Sequence, residues 1–143
     1  MNPDSEIFEM PITVASGDID MLKHVNNIVY LRWVQELAIA HWQAAATPAQ
    51  QANLLWVVVR HEIDYKQPAF LGEALIGRTW VGAASRRAFD RHSEIVRAAD
   101  GAVLARARTV WCPIDPHTFK PTDVSPEVRA RFSVQERPGQ VSP

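Results

Sequence analysis

The chain has 143 residues, a length that predicts one domain with its own core. The net charge of −1 argues against non-specific nucleic-acid binding, and a hydrophobic fraction of 47% is ordinary for a globular protein. No apolar run is long enough to predict a membrane span, so a cytoplasmic setting is expected. The lone cysteine, Cys112, cannot form an internal disulfide, and the five histidines lack metal-site spacing, so neither a metal nor another cofactor is predicted.

The first part of the chain predicts an edge strand followed by a long helix. Residues 6–16 form the strand, and Pro11 favours an edge or a bulge because proline cannot donate to a neighbouring strand. The helix begins at Asn26 or Asn27, whose side chains are good N-caps, and ends near Ala46. Its apolar surface is wide, so we expect the rest of the chain to cover it on most sides.

The second part of the chain predicts four strands and a short helix. Residues 48–53 are expected to be a polar linker. The clearest strand covers residues 56–67, where side chains alternate between two faces. Its apolar face is predicted to hold Val57, Val59, His61, Ile63 and Tyr65. The later elements are strands at 73–83, 87–98 and 102–114, a helix at 126–132 and a loose tail over 135–143. A strand, a long helix and a four-stranded meander predict an α+β fold.

A short polar loop before the long helix carries the most specific motif. The motif is Asp20-x-x-x-His24-Val25-Asn26-Asn27-x-x-Tyr30-Leu31-x-Trp33. It resembles the signature of hotdog-fold acyl thioesterases, which include the 4-hydroxybenzoyl-CoA thioesterase-like acyl-CoA hydrolases and the plant acyl-acyl-carrier-protein thioesterases. The resemblance implies a single hotdog domain over residues 1–143, in which an antiparallel sheet wraps one long central helix. It also implies assembly into homodimers or homotetramers.

Thioester hydrolysis needs a group that attacks or activates water and a group that stabilises the oxyanion. A carboxylate can do the first, and backbone N–H groups at a helix N-terminus can do the second. The resemblance implies that Asp20 is the nucleophile or general base. It also implies that N–H groups of Val25, Asn26 and Asn27 polarise the thioester carbonyl. His24 is predicted to orient the carboxylate or to carry a proton, since an imidazole titrates near neutral pH.

Five further residues are predicted to contact the substrate. Tyr30 is a candidate for lining the acyl pocket. His61 is a second candidate, because the partner's sheet borders the active site in hotdog dimers. Arg86, Arg87 and Arg91 are candidates for charge-assisted contacts with the phosphates of coenzyme A.

The motif thus predicts an acyl-CoA thioesterase, and two alternatives stay open. One is a non-catalytic protein that binds acyl thioesters, in which Asp20 only stabilises the loop. The other is a thioesterase for acyl-carrier-protein substrates. The plant enzymes of that class carry Asn two residues after the matching Asp, whereas this chain has Leu22 there. A hotdog dehydratase is disfavoured because the chain has no His-Gly-Pro string.

Overall fold

A computed structural model describes residues 7–133, so the predicted tail lies outside the described residues. The strands are β1 (Phe8–Thr13), β2 (Leu55–Tyr65), β3 (Ala74–Ala84), β4 (Phe89–Arg97) and β5 (Val103–Ile114). The helices are α1 (Asn27–Ala45), α2 (Pro48–Asn53) and α3 (Pro126–Phe132), and a short 3-10 turn spans Ser16–Asp18. The predicted strands and the two predicted helices are confirmed, with ends that shift by a few residues. No helix within residues 7–133 combines the length and the apolar character needed to cross a bilayer.

The five strands form one antiparallel sheet in the order β1-β3-β4-β5-β2. The predicted edge position of β1, based on Pro11, is confirmed. The predicted four-strand meander is wrong, because β2 pairs with β5 at the opposite edge while β3 pairs with β1. The connection after β2 carries the chain from that edge to the other side of the sheet. It crosses the start of α1, where the Ala69 carbonyl accepts the Val25 N–H at 2.9 Å, and it enters the sheet beside β1.

Helix α1 packs against one face of the sheet, and its buried residues supply much of the core. The close approach of helix and sheet depends on Gly77 in β3. A Cβ at Gly77 would lie 2.7 Å from Cδ2 of Leu37, a side chain with no exposed surface. The α+β hotdog fold predicted for the chain is therefore confirmed.

Residues 48–53 form helix α2 instead of the predicted linker. Thr47 Oγ1 accepts the Gln50 N–H at 3.1 Å, and Gln50 Oε1 accepts the Thr47 N–H at 2.9 Å. This capping box, together with Pro48 at the start of the helix, stabilises a short helix that the pattern of apolar residues does not predict.

A bulge in β2 overturns part of the predicted face pattern. The pairing with β5 shifts between Val58 and Arg60, so Val59 is an extra residue in the strand. Side chains on the two sides of a bulge change phase. As a result Val57 and Val59 are exposed, at 42% and 59%, although they were predicted to share a face with the half-buried His61.

Candidate active site

The loop before α1 is held in place by a buried carboxylate, that of Asp18. Its two oxygens accept the Ala15 N–H and an Arg32 guanidinium N–H, each at 2.9 Å. Its backbone carbonyl accepts the Asn26 N–H, also at 2.9 Å. Burial raises the pKa of Asp18, but the Ala15 N–H and the Arg32 guanidinium together bring it below its ordinary value. A charged Asp18 therefore ties both ends of the loop to the first turns of the helix.

The predicted catalytic carboxylate, Asp20, is half-buried within this loop. Its Oδ1 accepts the Leu22 N–H at 2.9 Å. Its backbone closes the loop, donating to the His24 carbonyl at 3.1 Å and accepting the Lys23 N–H at 3.0 Å. Lys23 turns the chain with a positive φ of 66°. Within the part of the chain that the structure describes, Asp20 Oδ2 accepts no hydrogen bond, so one oxygen of the carboxylate stays available for chemistry.

His24 contacts the backbone instead of the Asp20 carboxylate. Its Nδ1 lies 3.3 Å from the Val25 carbonyl and donates to it in the tautomer that carries the proton there. The predicted orienting bond to Asp20 is not formed. His24 does line the adjacent cleft.

Of the three predicted oxyanion donors, only the Asn27 N–H lacks an acceptor among the described residues. The Val25 N–H donates to the Ala69 carbonyl and the Asn26 N–H to the Asp18 carbonyl, both at 2.9 Å. The Asn26 side chain caps the helix by accepting the next free N–H, that of the second helical residue, at 3.0 Å. The Asn27 N–H finds no acceptor within residues 7–133. The expectation of three donors is therefore corrected to one, because the other two hold the loop together.

A cleft of about 250 Å³ opens beside the helix start. Its walls are His24, Val25, Asn27, Tyr30, Tyr65, Lys66, Gln67 and Pro68. The Tyr65 hydroxyl donates to the Asn27 carbonyl at 3.1 Å. The Tyr30 hydroxyl, on a side chain only 2% exposed, accepts the Ala69 N–H at 3.1 Å. Asp20 does not line the cleft itself and belongs to the loop that carries its His24 wall.

Four residues of the cleft wall were not predicted from the sequence: Tyr65, Lys66, Gln67 and Pro68. Lys66 brings a positive charge to the cleft wall. The available signal was the end of the clearest strand at Gln67-Pro68. That signal does not show that the strand end meets the helix start, because the contact depends on strand order.

His61 lies in the middle of β2, away from the cleft lining. Its Nδ1 is 2.9 Å from Thr109 Oγ1 on the neighbouring strand. Burial lowers its pKa, and its buried Nε2 has no partner among the described residues. In this protomer His61 is therefore a packing residue between β2 and β5.

The exposed arginines predicted to bind coenzyme A lie far from the cleft. Arg86 and Arg87 precede β4 and both approach Asp123 Oδ1, at 3.7 and 2.7 Å. They sit at the sheet end that holds Phe89, whereas the cleft adjoins Tyr65 at the other end. Within one protomer the structure does not bring them to the site.

Arg91 is buried, which argues against its predicted contact with the phosphates of coenzyme A. It is 3% exposed because alternate residues of β4 point into the core, and Arg91 shares that phase with Phe89. Its Nη1 lies 2.9 Å from His41 Nδ1 and 3.1 Å from Thr79 Oγ1. It therefore cannot reach a phosphate on the protein surface.

The loop and the fold also match known proteins. The family described as the Thioesterase-like superfamily matches residues 14–132. The chain belongs to this superfamily. It is 26% identical over 126 residues to the long-chain acyl-CoA thioesterase FadM of Escherichia coli, covering 85% of this chain and 93% of that protein.

Two further similarities extend the comparison. A chloroplastic palmitoyl-acyl carrier protein thioesterase of Gossypium hirsutum is 26% identical over 138 residues, covering 90% of this chain. The chain spans about a third of the length of the chloroplastic relatives that it matches. A 1,4-dihydroxy-2-naphthoyl-CoA thioesterase from Synechocystis has a similar structure, with a TM-score of 0.76, 22% identity and coverage of 87% of this chain and 94% of that one. At that identity the likeness concerns the fold alone.

Proposed function

We propose that this protein is an acyl-CoA thioesterase that hydrolyses the thioester to a free acid and coenzyme A. The observation that carries the proposal is the Asp20 carboxylate, whose Oδ2 has no hydrogen-bond partner among residues 7–133, in a loop held against the N-terminus of α1. The superfamily membership supports thioester chemistry. The match to nearly the whole length of a long-chain acyl-CoA thioesterase favours a coenzyme A substrate over an acyl carrier protein. Leu22, where the plant enzymes carry Asn, favours the same choice.

Asp20 can act by either of two routes. As a nucleophile, its oxygen attacks the thioester carbon, expels the thiolate and leaves a mixed anhydride that water hydrolyses. As a general base, it takes a proton from the water that attacks the same carbon, and the proton ends on the departing thiolate. His24, which lines the cleft, relays that proton from the Asp20 carboxyl to the thiolate.

The start of α1 stabilises the charge that develops on the thioester oxygen. The free Asn27 N–H is the donor, and the positive end of the helix dipole acts at the same place. The Tyr65 hydroxyl bond to the Asn27 carbonyl keeps this peptide in position. Fixed donors of this kind need no reorganisation during the reaction, which is why they are effective.

We also propose that the protein forms a homodimer or homotetramer through β2. This strand is an edge of the sheet and exposes Leu55, Val57 and Val59. An exposed apolar edge strand is a template for pairing with another chain. Light scattering after size exclusion is expected to give the mass of two or four chains, and a Val57→Lys variant is expected to dissociate. A wild-type mass of one chain would refute this assembly.

The function is tested by thiol release from short-chain, long-chain and aromatic acyl-CoAs. We expect Asp20→Asn to lower kcat by about 10²–10⁴-fold, the range of a lost general base. Asp123→Asn is the matched control, because it makes the same change at the far end of the sheet and should leave activity intact. Full activity in Asp20→Asn would show that Asp20 only stabilises the loop. Mass spectrometry of rapidly quenched enzyme separates the two routes, since only the nucleophilic route adds an acyl group to Asp20.

A further inference from the structure

A second cavity, of about 70 Å³, lies between α1 and the sheet, near the end of the helix remote from the cleft. Its wall is almost entirely aromatic and aliphatic, formed by Ala38, Ile39, Trp42, Trp56, Phe89 and Trp111. Because Ile39 is 50% exposed, the cavity reaches the protomer surface. A water needs at least about 10–15 Å³ of such volume, so the cavity has room for a group of several heavy atoms.

The surface of this cavity is apolar, so it suits a hydrocarbon group. The indole nitrogens of Trp56 and Trp111 are buried and present no polar surface. Arg91 also borders the cavity, but its Nη1 lies within hydrogen-bond distance of His41 Nδ1 and Thr79 Oγ1. A cavity without exposed polar groups holds water poorly and takes up apolar molecules. Each methylene that leaves water for such a wall strengthens binding about fourfold.

The cavity and the cleft border the same two elements, α1 and β2. Asn27 and Tyr65 line the cleft, whereas Ala38 and Trp56 line the cavity. Helix α1 packs mainly against β1, β3 and β4, so it covers less of β2 on the face of the sheet that it occupies. The margin between α1 and β2 therefore runs from the helix start to the aromatic cavity.

Partly accessible side chains follow this margin on both elements. On β2, Val58, His61 and Ile63 are half-buried while the residues between them are exposed, so these three face the helix side. On α1, Leu31 and Gln35 follow Asn27 at intervals of four residues, which places them on one side of the helix. Leu31 is half-buried and Gln35 is exposed. A chain that lies along these two rows stays at the edge of the core and ends at the cavity.

We propose that the cavity receives the methyl end of a long acyl chain whose thioester group lies in the cleft. This inference rests on the proposed function and names the length of its substrate. Helix α1 rises by roughly 16 Å from Asn27 to Ala38. An extended chain advances about 1.2 Å per bond, so roughly 13 bonds separate a carbonyl at the helix start from the cavity. A saturated chain of about 14–16 carbons therefore reaches the cavity, and a decanoyl chain stops short of it.

Hydrolysis of palmitoyl-CoA and decanoyl-CoA, below their critical micelle concentrations, tests the proposal through the ratio of their kcat/KM values. We expect wild type to favour palmitoyl-CoA about tenfold or more, because only its last methylenes enter the cavity. Ala38→Leu fills part of the cavity and should lower this ratio about fourfold for each methylene that it displaces. Ala44→Leu makes the same change at an exposed position of the same helix and should keep the ratio. A wild-type ratio near one, or an unchanged ratio in Ala38→Leu, would overturn the proposal.

A second variant keeps the test decisive if Ala38→Leu does not fold. Ile39→Glu changes an exposed position at the mouth of the cavity, so it should not disturb the core. Its carboxylate would stand where the chain enters, and we expect the ratio to fall as it does in Ala38→Leu. The same ratio in Ile39→Glu and wild type would contradict a chain that passes this point.

A binding measurement separates this inference from the proposed function. S-hexadecyl-CoA and S-decyl-CoA are thioethers, which the protein cannot hydrolyse, and three of the five tryptophans line the cavity. Tryptophan fluorescence should show tighter binding of the hexadecyl compound by wild type and a smaller preference in Ala38→Leu. Equal affinities of wild type for the two thioethers would overturn the inference. A hexadecyl preference without hydrolysis of any thioester would leave the cavity assignment standing and refute only the proposed function.

Discussion

The buried imidazole of His41 should make the fold sensitive to acid. The side chain is 2% exposed and stacks on Phe8, with ring centroids 5.3 Å apart. Phe132 meets it edge-on at 4.9 Å, and Arg91 Nη1 lies 2.9 Å from its Nδ1. Burial and the two nearby arginines lower its pKa to about 3, so the folded protein keeps this ring neutral.

The sign and size of the effect follow from the difference between the two pKa values of His41. In the unfolded chain the ring titrates near 6.5. Between pH 6.5 and 3 the unfolded state binds the additional proton, so the free energy of unfolding falls by about 1.4 kcal/mol per pH unit. At pH 5 the loss is about 2 kcal/mol. Above pH 6.5 both states are neutral at this ring, and His41 contributes no pH dependence.

Urea unfolding at pH 7.5 and pH 5.0 measures this loss, with His41→Gln as the reference. Glutamine offers the Arg91 N–H an acceptor but does not titrate, so every other titrating group contributes to both proteins. We expect wild type to lose about 2 kcal/mol more than His41→Gln between the two pH values. Equal losses in the two proteins would refute a buried, neutral His41, whatever the stability of the variant at pH 7.5.

Three further substitutions test the packing and the site scaffold. Gly77→Ala should lower the free energy of unfolding by about 1–3 kcal/mol in urea titrations, because its Cβ would meet Leu37 at 2.7 Å; unchanged stability would mean that the helix has room to move. Tyr30→Phe should cost about 1–3 kcal/mol and speed hydrogen exchange at the Ala69 amide, which loses its acceptor; unaltered exchange would contradict that bond. Asn26→Ala should cost about 1 kcal/mol and Asn26→Asp much less, as calorimetry would show, because only alanine removes the N-cap acceptor; equal losses would argue against capping.

Local signals predicted the elements, while long-range contacts decided how they are arranged. The start of α1 was predictable because Asn26 is a favourable N-cap residue. Its end was predictable because Pro48 follows closely. The position of β2 beside β5 was not predictable, because it depends on where the segment at Ala69 crosses the helix. The bulge at Val59 likewise arises from pairing with a strand some fifty residues away in the chain.

The same division applies to the candidate site. The motif predicted the loop and the helix start, but not that the Val25 and Asn26 N–H groups are already used, because acceptors such as Ala69 come from distant segments. The burial of Arg91 had a usable signal. Arg91 lies two residues after Phe89 in β4, so both side chains point to the same face of the strand. That alternation alone predicts a buried Arg91.

Two hydrogen bonds of the Ala69 backbone determine when the candidate site can form during folding. Its carbonyl accepts the Val25 N–H and so holds the loop that carries Asp20, and its N–H donates to the hydroxyl of Tyr30, which is 39 positions earlier in the chain. Contacts of such separation form late relative to local turns and helices. During synthesis, a chain that stopped before Ala69 would contain the whole Asp20 motif. It would still lack the two hydrogen bonds that hold the loop and Tyr30 in position. The candidate site would therefore take its shape only after the segment at Ala69 has been synthesised and has reached the start of the helix.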